Sequence, residues 1–410
     1  MTFFGIFRNP AGVLSGFMIL MTLLSLRYAW TGFKLGQNLW QNWAQYVAEP
    51  LTARKKQLTE QVAYFVMVPF AVALHEFFHA LATWLFGGQI VDVGYAFFWG
   101  YVQPAGQFTI DQYWFIALAG TFGNLLFGLA VWQWSRGQAS STLRFLGLRT
   151  LRFQVYFGLI FYPIFTIFFP IGDWRTIYAF GQTPFLSGIT AVCHALILLA
   201  HYWADRRGFY DVSALQGELA ELYEAVMNGQ QPVEAQPQQV LATVEALLVG
   251  RSLRRAEALL AKYRAAFPEE PAGLLIQARL DMTDKQTVPV QVRDLATKAL
   301  AHNTLTPLQQ AAAHEMLAQF FSGRDPQQAL EHLNQAIAVL AEGDPHQLRL
   351  LHTLYFRRQR QLRQRGDLAA AQADLDRFRQ AGNQLQIDGT DQLYQQEVDG
   401  IQSQQADLRQ

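Results

Sequence analysis

Five long apolar segments fill the first half of the chain and limit what it can fold into. They run over residues 11–30, 62–86, 113–134, 153–169 and 185–203. Each approaches the length of about 20 residues that a helix needs to cross about 30 Å of hydrocarbon. A large soluble enzyme with buried helices is the alternative, but so many apolar segments in one half of the chain disfavour it. We therefore predict an α-helical membrane domain that crosses the bilayer about five times.

The first apolar segment is interpreted as a transmembrane helix and not as a cleaved signal peptide. Arg8 precedes it, but no convincing small-residue cleavage site follows it. Together with the polar stretch that follows, it forms the predicted N-terminal region, residues 1–60, a transmembrane helix and an amphipathic connector. Residues 61–205 form the predicted membrane core.

The second half of the chain differs in composition and predicts a soluble domain. Residues 206–410 are rich in Gln, Ala, Leu, Arg and Glu. The whole chain carries 32 basic and 32 acidic residues, and this balance gives no sign of a nucleic-acid partner. Its single cysteine, Cys193, excludes an intrachain disulfide.

Residues 240–382 contain amphipathic helical segments that begin after a glycine and a polar pair. Gly323 and Gly366 mark two such starts and lie 43 positions apart, longer than the 34-residue tetratricopeptide period. The region resembles a degenerate tetratricopeptide-like α-solenoid; a generic helical bundle is the alternative. Residues 206–239 are predicted to be a linker and residues 383–410 a frayed polar tail. The predicted fold is thus an all-α membrane protein with a small β-hairpin insertion, plus a soluble α-solenoid.

The β-hairpin is predicted from a Gly-rich aromatic stretch, residues 87–106. Its glycines and β-branched residues are typical of short strands and turns, for which we expect Ile90–Val93 and Tyr95–Tyr101. Non-helical backbone at membrane depth persists only where protein or a wet cavity satisfies its polar groups. We therefore expect this hairpin to dip toward a functional site.

The second apolar segment contains the strongest chemical motif of the chain, His75-Glu76-Phe77-Phe78-His79. On a helix the two imidazoles share one face, so both can bind the same metal ion. Glu76 can then reach a metal-bound water and act as general base. Ionisable groups within membrane segments are costly and usually functional, which favours a metal site over a chance match.

A catalytic zinc site needs a third protein ligand. Asp173 is the only acidic residue between Asp111 and Asp205, and it follows the fourth apolar segment where Gly172 breaks the helix. His194 and His201 in the fifth segment are the competing candidates. For His194 the simpler alternative is an interhelical hydrogen bond, and His201 is expected at the membrane interface.

Residues 61–180 resemble the site-2 protease family of intramembrane zinc metalloproteases. The resemblance rests on HEFFHALA, the Gly-rich aromatic hairpin, Ala119-Gly120-Thr121-Phe122-Gly123-Asn124, and a later Asp preceded by proline. The sequence departs from the family at Thr121, where the family usually has Pro, and at Gly172-Asp173-Trp174, where it has Leu-Asp-Gly.

This resemblance implies that the chain hydrolyses peptide bonds of membrane-associated substrates by means of a zinc-activated water. It implies one Zn²⁺ per chain, with His75, His79 and Asp173 as ligands and Glu76 as the catalytic base. Asn124 would be a polar group facing the cavity, or alternatively a helix–helix contact. The strand Ile90, Val91, Asp92, Val93 would hold an unwound substrate by edge pairing. The helical repeats would bind a protein partner on their concave surface.

Two arguments about the orientation in the membrane disagree. Ten Lys and Arg residues flank the spans on one side, against Arg8 and Arg175 on the other, which predicts a cytosolic helical-repeat domain and a hairpin outside. In the resembling family, however, the hairpin lies toward the cytosol. An extra or re-entrant segment near Asp173 would reconcile the two. We expect the helical-repeat domain in the cytosol.

Two other functions are alternatives to proteolysis. A membrane di-iron oxygenase needs several histidine boxes, and residues 1–205 contain only four histidines. A catalytically inactive membrane scaffold, whose helical repeats bind partner proteins, is the alternative that remains open. The zinc protease and the inactive scaffold differ in whether zinc is bound.

Overall fold

The computed structural model describes residues 12–169, 171–283 and 288–407. The chain divides into two compact units, and we describe each by itself. The membrane unit comprises Met1–Leu215 with Val249–Arg255, and the helical unit comprises Gln216–Leu248 with Ala256–Gln410.

The membrane unit contains nine α-helices and one two-stranded sheet within the described ranges. Two π-helical turns, Ala63–Met67 and Phe157–Phe161, continue the helix Ala53–Val62 into Val68–Leu85 and the helix Ser141–Tyr156 into Tyr162–Phe168 without a break. The elements are α1 Gly12–Gln41, α2 Trp43–Val47, α3 Ala53–Val62, α4 Val68–Leu85, β1 Gln89–Tyr95, β2 Gly100–Ala105, α5 Ile110–Arg136, α6 Ser141–Tyr156, α7 Tyr162–Phe168, α8 Trp174–Ile177 and α9 Pro184–Arg206.

Four helical stretches among the described residues are long and apolar enough to cross a membrane. They are Ala53–Leu85, Ile110–Arg136, Ser141–Phe168 and Pro184–Arg206, and they coincide with the last four predicted spans. The first predicted span, residues 11–30, lies along α1 but begins outside the described residues. The membrane character predicted from composition is confirmed to this extent.

The start of α5 shows how local sequence sets a helix boundary. The hydroxyl of Thr109 accepts the backbone N–H of Gln112, and the Gln112 side chain accepts the N–H of Thr109 in return. This reciprocal cap satisfies two donors that have no partner within the helix, a contribution of about 1 kcal/mol. It fixes where the chain leaves the hairpin and enters the span.

The predicted hairpin is confirmed, with different strand limits. β1 and β2 pair antiparallel, with an irregularity in register between Ile90 and Asp92. The expected strand Tyr95–Tyr101 is wrong, because residues 96–99 form the turn and Phe97 adopts a left-handed conformation with φ 64°. Ser25 of α1 holds this turn: its hydroxyl donates to the Ala96 carbonyl and accepts the N–H of Phe98.

Small residues let the spans approach one another closely. The backbone of α5 at Gly123 lies against the Phe78 ring of α4, and a side-chain carbon there would come within 2.8 Å of that ring. On the other side of α5, Gly147 of α6 faces Ser135 and Trp132. Such contacts replace the hydrophobic driving force that is absent between helices in lipid.

The helical unit is built from consecutive helices that pack on their neighbours, for example Pro271–Met282 on Val290–Leu300, and Pro345–Gln364 on Leu368–Gln384. Several helices begin with the same device, a capping Thr or Asp followed by Pro, as at Thr306, Asp325 and Asp344. The helices that lie wholly or mostly in this unit are α10 Glu218–Met227, α11 Pro237–Val249, α12 Leu253–Ala266, α13 Pro271–Met282, α14 Val290–Leu300, α15 Pro307–Phe321, α16 Pro326–Ala338, α17 Pro345–Gln364, α18 Leu368–Gln384 and α19 Thr390–Asp407.

The predicted linker and tail are more ordered than expected. Residues 206–239 include α10, whose last carbonyls accept hydrogen bonds from Lys262 at 2.9 and 3.2 Å. The tail includes α19, in which Ile401 is only 2% exposed. Glu397 of the same helix binds Arg360 and Arg363 of α17. A few contacts, those of Ile401 and Glu397, are sufficient to dock this helix, and the Gln-rich composition gave no indication of them.

Candidate metal centre

Three donor atoms from two separate elements meet inside the membrane unit. α4 carries His75 and His79 one turn apart, and Asp173 comes from the segment between α7 and α8. Oδ2 of Asp173 lies 3.0 Å from Nε2 of His75 and 3.2 Å from Nε2 of His79. The two Nε2 atoms are 3.0 Å apart. Within the described residues, these three form the one group of His, Cys, Asp and Glu side chains with the geometry to share a metal ion.

The centre lies deep along the spans. His75 is ten residues from the end of α4 at Leu85, and Gly120 of α5, which faces both imidazoles, is ten residues from the start of α5. At 1.5 Å per residue, ten residues correspond to about 15 Å, half the thickness of a hydrocarbon core. At that depth the free-energy cost of removing polar side chains from water is largest.

Each imidazole is oriented by a hydrogen bond at its other nitrogen. Nδ1 of His79 donates to the carbonyl of Ile116 at 2.6 Å. Nδ1 of His75 faces the amide of Asn124 at 3.2 Å, and Oδ1 of that amide is buried without a partner among the described residues. Rotating the amide by 180° would let Oδ1 accept the Nδ1 proton of His75. Both rings would then present Nε2 to a metal.

The donor set fits zinc. Because Nδ1 of His79 carries the proton that is hydrogen-bonded to the Ile116 carbonyl, the neutral ring has a lone pair on Nε2, which faces an oxygen of Asp173. Acceptors this close need a proton or a metal ion between them. Two imidazole nitrogens and one carboxylate oxygen are usual ligands of catalytic zinc, and tetrahedral coordination keeps neighbouring ligand atoms about 3.3 Å apart. The observed separations of 3.0 to 3.2 Å are close to that value.

Asp173 is held in place by Tyr162, the first residue of α7. The phenol donates to Oδ2 of Asp173 and accepts the backbone N–H of the same residue, both at 3.0 Å. The preceding Gly172 has φ +106°, and a side-chain carbon there would meet Tyr162 and Thr166.

The segment after Asp173 is anchored to the π-helical turn Phe157–Phe161. A π-helical turn carries one more residue than an α-turn, and its carbonyls become available to side chains. The indole of Trp174, which is 2% exposed, donates to the carbonyl of Gly158 at 3.1 Å. Trp114 of α5 donates to the carbonyl of Ile177 at 3.1 Å. The Asp173 segment is therefore fixed from two sides.

Glu76 lies beside the three donors and faces the hairpin. Its side chain is 8% exposed and accepts no hydrogen bond from any described residue. A side-chain carbon at Gly100, the first residue of β2, would lie 2.7 Å from its Cγ and 2.9 Å from its Oε1. Glycine at this position therefore leaves room for the carboxylate between α4 and the hairpin.

The predicted hairpin residues Ile90, Val91, Asp92 and Val93 all lie in β1. Both carboxylate oxygens of Asp92 are used within the hairpin, by the N–H of Val93 and the hydroxyl of Tyr101, each at 2.9 Å. Val91 is 59% exposed at the irregularity in register. The hairpin residue that faces Glu76 is Gly100 of β2; pairing of substrate with Ile90–Val93 stays a prediction.

The competing histidines are engaged elsewhere. Nε2 of His194 donates to the carbonyl of Leu159 at 2.6 Å, and its Nδ1 accepts the hydroxyl of Tyr178 at 2.5 Å. His201 pairs through Nδ1 with the hydroxyl of Tyr210 at 2.8 Å. The interhelical hydrogen bond expected for His194 is thus present.

Three residues of the site were not predicted: Tyr162, Gly100 and Gly120. Gly120 lies within the AGTFGN stretch on which the resemblance rests, so this motif could have indicated that Gly120 belongs to the site. Tyr162 and Gly100 both lie in stretches rich in aromatic residues. Nothing in the neighbouring sequence marks either as part of a site, because their roles depend on tertiary packing.

No protein-family model matches this chain, and comparisons with curated proteins and with solved structures find no match either. The chemistry of the centre is therefore inferred from its own residues.

Proposed function

We propose that this protein is an intramembrane zinc metalloprotease that hydrolyses peptide bonds of membrane-associated substrates. One observation carries the proposal: two imidazoles and a carboxylate converge within 3.2 Å, beside the carboxylate of Glu76. The convergence lies about halfway along two spans. Such a set is costly in hydrocarbon unless it binds a cation and serves a function.

His75, His79 and Asp173 would hold one zinc ion. Bound there, zinc would supply Lewis acidity, which polarises a peptide carbonyl and lowers the pKa of water to about 7. Asn124 and the carbonyl of Ile116 fix the two imidazoles, and Tyr162 fixes the carboxylate. Ligands held in this way lose little orientational freedom when the ion binds.

Glu76 is the general base of the proposal. Its carboxylate takes a proton from the attacking water and returns a proton to the departing amine nitrogen. Because its oxygens are not committed to other described groups, the carboxylate is available for both transfers. Gly100 contributes by leaving space for it.

The hairpin would present the substrate. A helical substrate hides its peptide bonds, so it must unwind, and an extended segment can pair with the edge of a two-stranded sheet. The strand Ile90–Val93, with Val91 largely exposed, is our candidate for that edge. The helical unit would bind a protein partner. We propose that it is cytosolic, because ten Lys and Arg residues flank the spans on the side predicted to carry Arg206 and Arg207, which it follows in sequence, against two on the other side.

Metal analysis of the purified full chain tests the proposal. We expect one zinc per chain in the wild type and loss of zinc in His79→Ala. His201→Ala is a matched control, since it removes a histidine from a span but not from the centre. Absence of zinc from the wild type would contradict the proposal and favour an inactive scaffold whose helical unit binds partners.

Glu76→Gln separates metal binding from catalysis. The amide keeps the size of the side chain but accepts no proton at neutral pH. The variant should retain zinc and lose cleavage of a model transmembrane substrate by at least about 100-fold. Cleavage at the wild-type rate would contradict the role of Glu76 while leaving the metal site intact.

A further inference from the structure

Three arginines at the ends of two spans lie over aromatic rings. Each stands four residues after its aromatic partner, with its guanidinium carbon 5.1 to 5.7 Å from the centre of that ring. The pairs are Arg136 over Trp132 of α5, Arg206 over Tyr202 of α9, and Arg207 over Trp203 of α9. We refer to Arg136, Arg206 and Arg207 as the basic patch.

The ends of α5 and α9 lie side by side, so the basic patch is one surface. The ring of Trp132 packs edge-on against that of Phe209, which follows α9, with ring centres 5.7 Å apart. Trp132 and Ala204 also pack against the same buried cluster, which contains Tyr210. The two helices therefore end at the same point on the membrane unit.

The basic patch lies at the depth of the lipid headgroups. Gly120 of α5 faces both imidazoles at the middle of the span, and Trp132 is twelve residues further along the same helix. Twelve helical residues correspond to about 18 Å. The hydrocarbon ends about 15 Å from the midplane of a bilayer, and the headgroup region extends to about 20 to 22 Å. The Trp132 ring and the guanidinium over it are thus at the level of the lipid phosphates.

The spacing of the three pairs directs each cation back toward the membrane. Side chains of a helix tilt toward its N-terminus, and α5 and α9 both leave the membrane at these ends. A guanidinium four residues beyond a ring therefore returns along the helix to that ring. On a ring face it keeps its N–H groups free to bind the oxygens of a phosphate.

Three other cations at this end of the spans are paired with carboxylates. Their ion pairs are Lys56 with Asp211 at 2.7 Å, Arg149 with Glu60 at 3.1 Å, and Arg152 with Asp205 at 3.0 Å. Asp205 and Asp211, the carboxylates nearest to Arg206 and Arg207 in sequence, are thus already engaged. In the part of the chain that the structure describes, no carboxylate forms an ion pair with the basic patch. A cation without a counter-ion at the edge of hydrocarbon is costly, which favours an anion from outside the chain.

The surface beside the basic patch is apolar and exposed. Leu199, Tyr202 and Trp203 of α9 are each more than half exposed. Tyr and Trp side chains are typical of the membrane–water interface, where one end of the ring meets hydrocarbon. A ligand that covers both parts of this surface has a negative head and an apolar tail.

We propose that the basic patch binds the headgroup phosphate of an anionic phospholipid, while Leu199, Tyr202 and Trp203 contact its acyl chains. In phosphatidylcholine the choline group neutralises the phosphate, so three guanidinium groups select a lipid with a net negative charge, such as phosphatidylglycerol. The inference goes beyond the proposed function, because it depends neither on the metal centre nor on catalysis.

Thermal unfolding of the full chain in detergent micelles tests the proposal. Phosphatidylglycerol should raise the melting temperature above that in the same fraction of phosphatidylcholine, because a ligand stabilises the folded state to which it binds. In Arg136→Gln/Arg206→Gln/Arg207→Gln, the lipid fraction that gives half of this rise should increase about fivefold or more, the effect of one cation near an anionic headgroup. An unchanged fraction would overturn the proposal.

Arg54→Gln/Lys55→Gln/Arg144→Gln is the matched control. It removes the same charge from the side of the spans predicted to carry the basic patch, but from α3 and α6 and not from α5 or α9. This variant should respond to phosphatidylglycerol as the wild type does. An equal shift in both triple variants would mean that net charge alone attracts the lipid, and would overturn the proposal.

Inorganic phosphate separates a lipid site from a site for soluble anions. At the same concentration of phosphate groups it should leave the melting temperature of the wild type unchanged, since it has no acyl chain to contact the apolar surface. A rise equal to that with phosphatidylglycerol would overturn the assignment to a lipid.

Photolabelling locates the lipid on the wild type without any variant. Phosphatidylglycerol with a diazirine in its acyl chain should label the peptide that contains Leu199, Tyr202 and Trp203 several-fold more than phosphatidylcholine with the same diazirine. Equal labelling by the two lipids would overturn the proposal. Failure of the proposed function would appear as absence of zinc and of cleavage, and leave these results readable.

Discussion

Tyr162 binds Asp173 at two atoms: its hydroxyl donates a hydrogen bond to Oδ2 and accepts one from the backbone N–H, each of 3.0 Å. The same Oδ2 is the atom nearest to both imidazoles. The ring of Tyr162 also packs edge-on against that of His75, with centroids 5.9 Å apart. One aromatic residue thus positions two of the three proposed metal ligands.

Tyr162→Phe should weaken zinc binding. The variant keeps the ring but frees Asp173 at both atoms, and loss of such an outer contact usually reduces metal affinity by about 10- to 100-fold. Competition with a chelator measures the change on the purified full chain. Tyr178→Phe is the matched control, because its hydroxyl binds His194 and not Asp173. An equal loss in both variants would contradict a specific role for Tyr162.

Gly120→Ala should abolish zinc binding. The added methyl would lie 2.6 Å from Nε2 of His75 and still closer to that of His79, in the space that both donors face. Gly188→Ala on α9 is the control, since a methyl there meets no atom within 4 Å. Zinc content decides the outcome. A Gly120→Ala variant with a full complement of zinc would show that the ion binds elsewhere.

Gly100→Ala should have the opposite pattern, with zinc retained and cleavage lost. The new methyl displaces Glu76 from a position 2.7 Å away, while the three metal donors are untouched. Loss of a general base corresponds to about 100-fold or more in rate. Zinc content and substrate cleavage are measured on the same preparation. Loss of zinc from this variant would mean that the hairpin supports the ligands and not the base.

The helical unit should lose stability as the pH falls from about 6.5 to about 4. Burial, together with the neighbouring His332, lowers the pKa of His314 to about 4. The unfolded chain, with its histidine pKa of about 6.5, then binds the extra proton first, so acid favours unfolding across this window. The urea midpoint of the wild type should fall further between pH 7 and pH 5 than that of His314→Gln. Parallel changes in the two proteins would exclude His314 as the cause.

Arg358 forms a two-pronged ion pair with Asp374, which is 2% exposed. Arg358→Met leaves this buried carboxylate with Arg377 alone, at 3.7 Å, and we expect a loss of about 3 kcal/mol in the free energy of unfolding of the helical unit. The double variant Arg358→Met/Asp374→Leu should recover much of it, because no buried charge remains. Urea unfolding measures both. A double variant no more stable than the single one would contradict the explanation.

The sequence allowed part of the centre to be predicted because two of its ligands are local. His75 and His79 share a helix face by their spacing alone, and Glu76 follows from the same motif. Asp173 came from elimination, as the one carboxylate available in a long stretch. Its convergence with the histidines depends on how α7 and the following segment fold back.

The parts that sequence could not supply are set by tertiary contacts. Tyr162 is one aromatic residue among many in its segment, and only the fold brings it to Asp173. The hairpin was expected from its composition, but its turn was missed because Phe97 takes a left-handed conformation that is rare for an aromatic residue. The helix at Thr390–Asp407 was missed because a few contacts, such as Ile401 and Glu397, dock an otherwise polar segment.

The π-helical turn Phe157–Phe161 has a consequence for the phase of the third span. One additional residue in a helix turns everything beyond it by about 100° relative to an uninterrupted α-helix. The same span can therefore direct Gln154 toward α5 before the turn and Tyr162 toward Asp173 after it. The helix faces before and after the turn are therefore offset within one continuous span. Removing a single residue from this turn would leave a span of nearly the same length that directs the wrong side chains toward the centre.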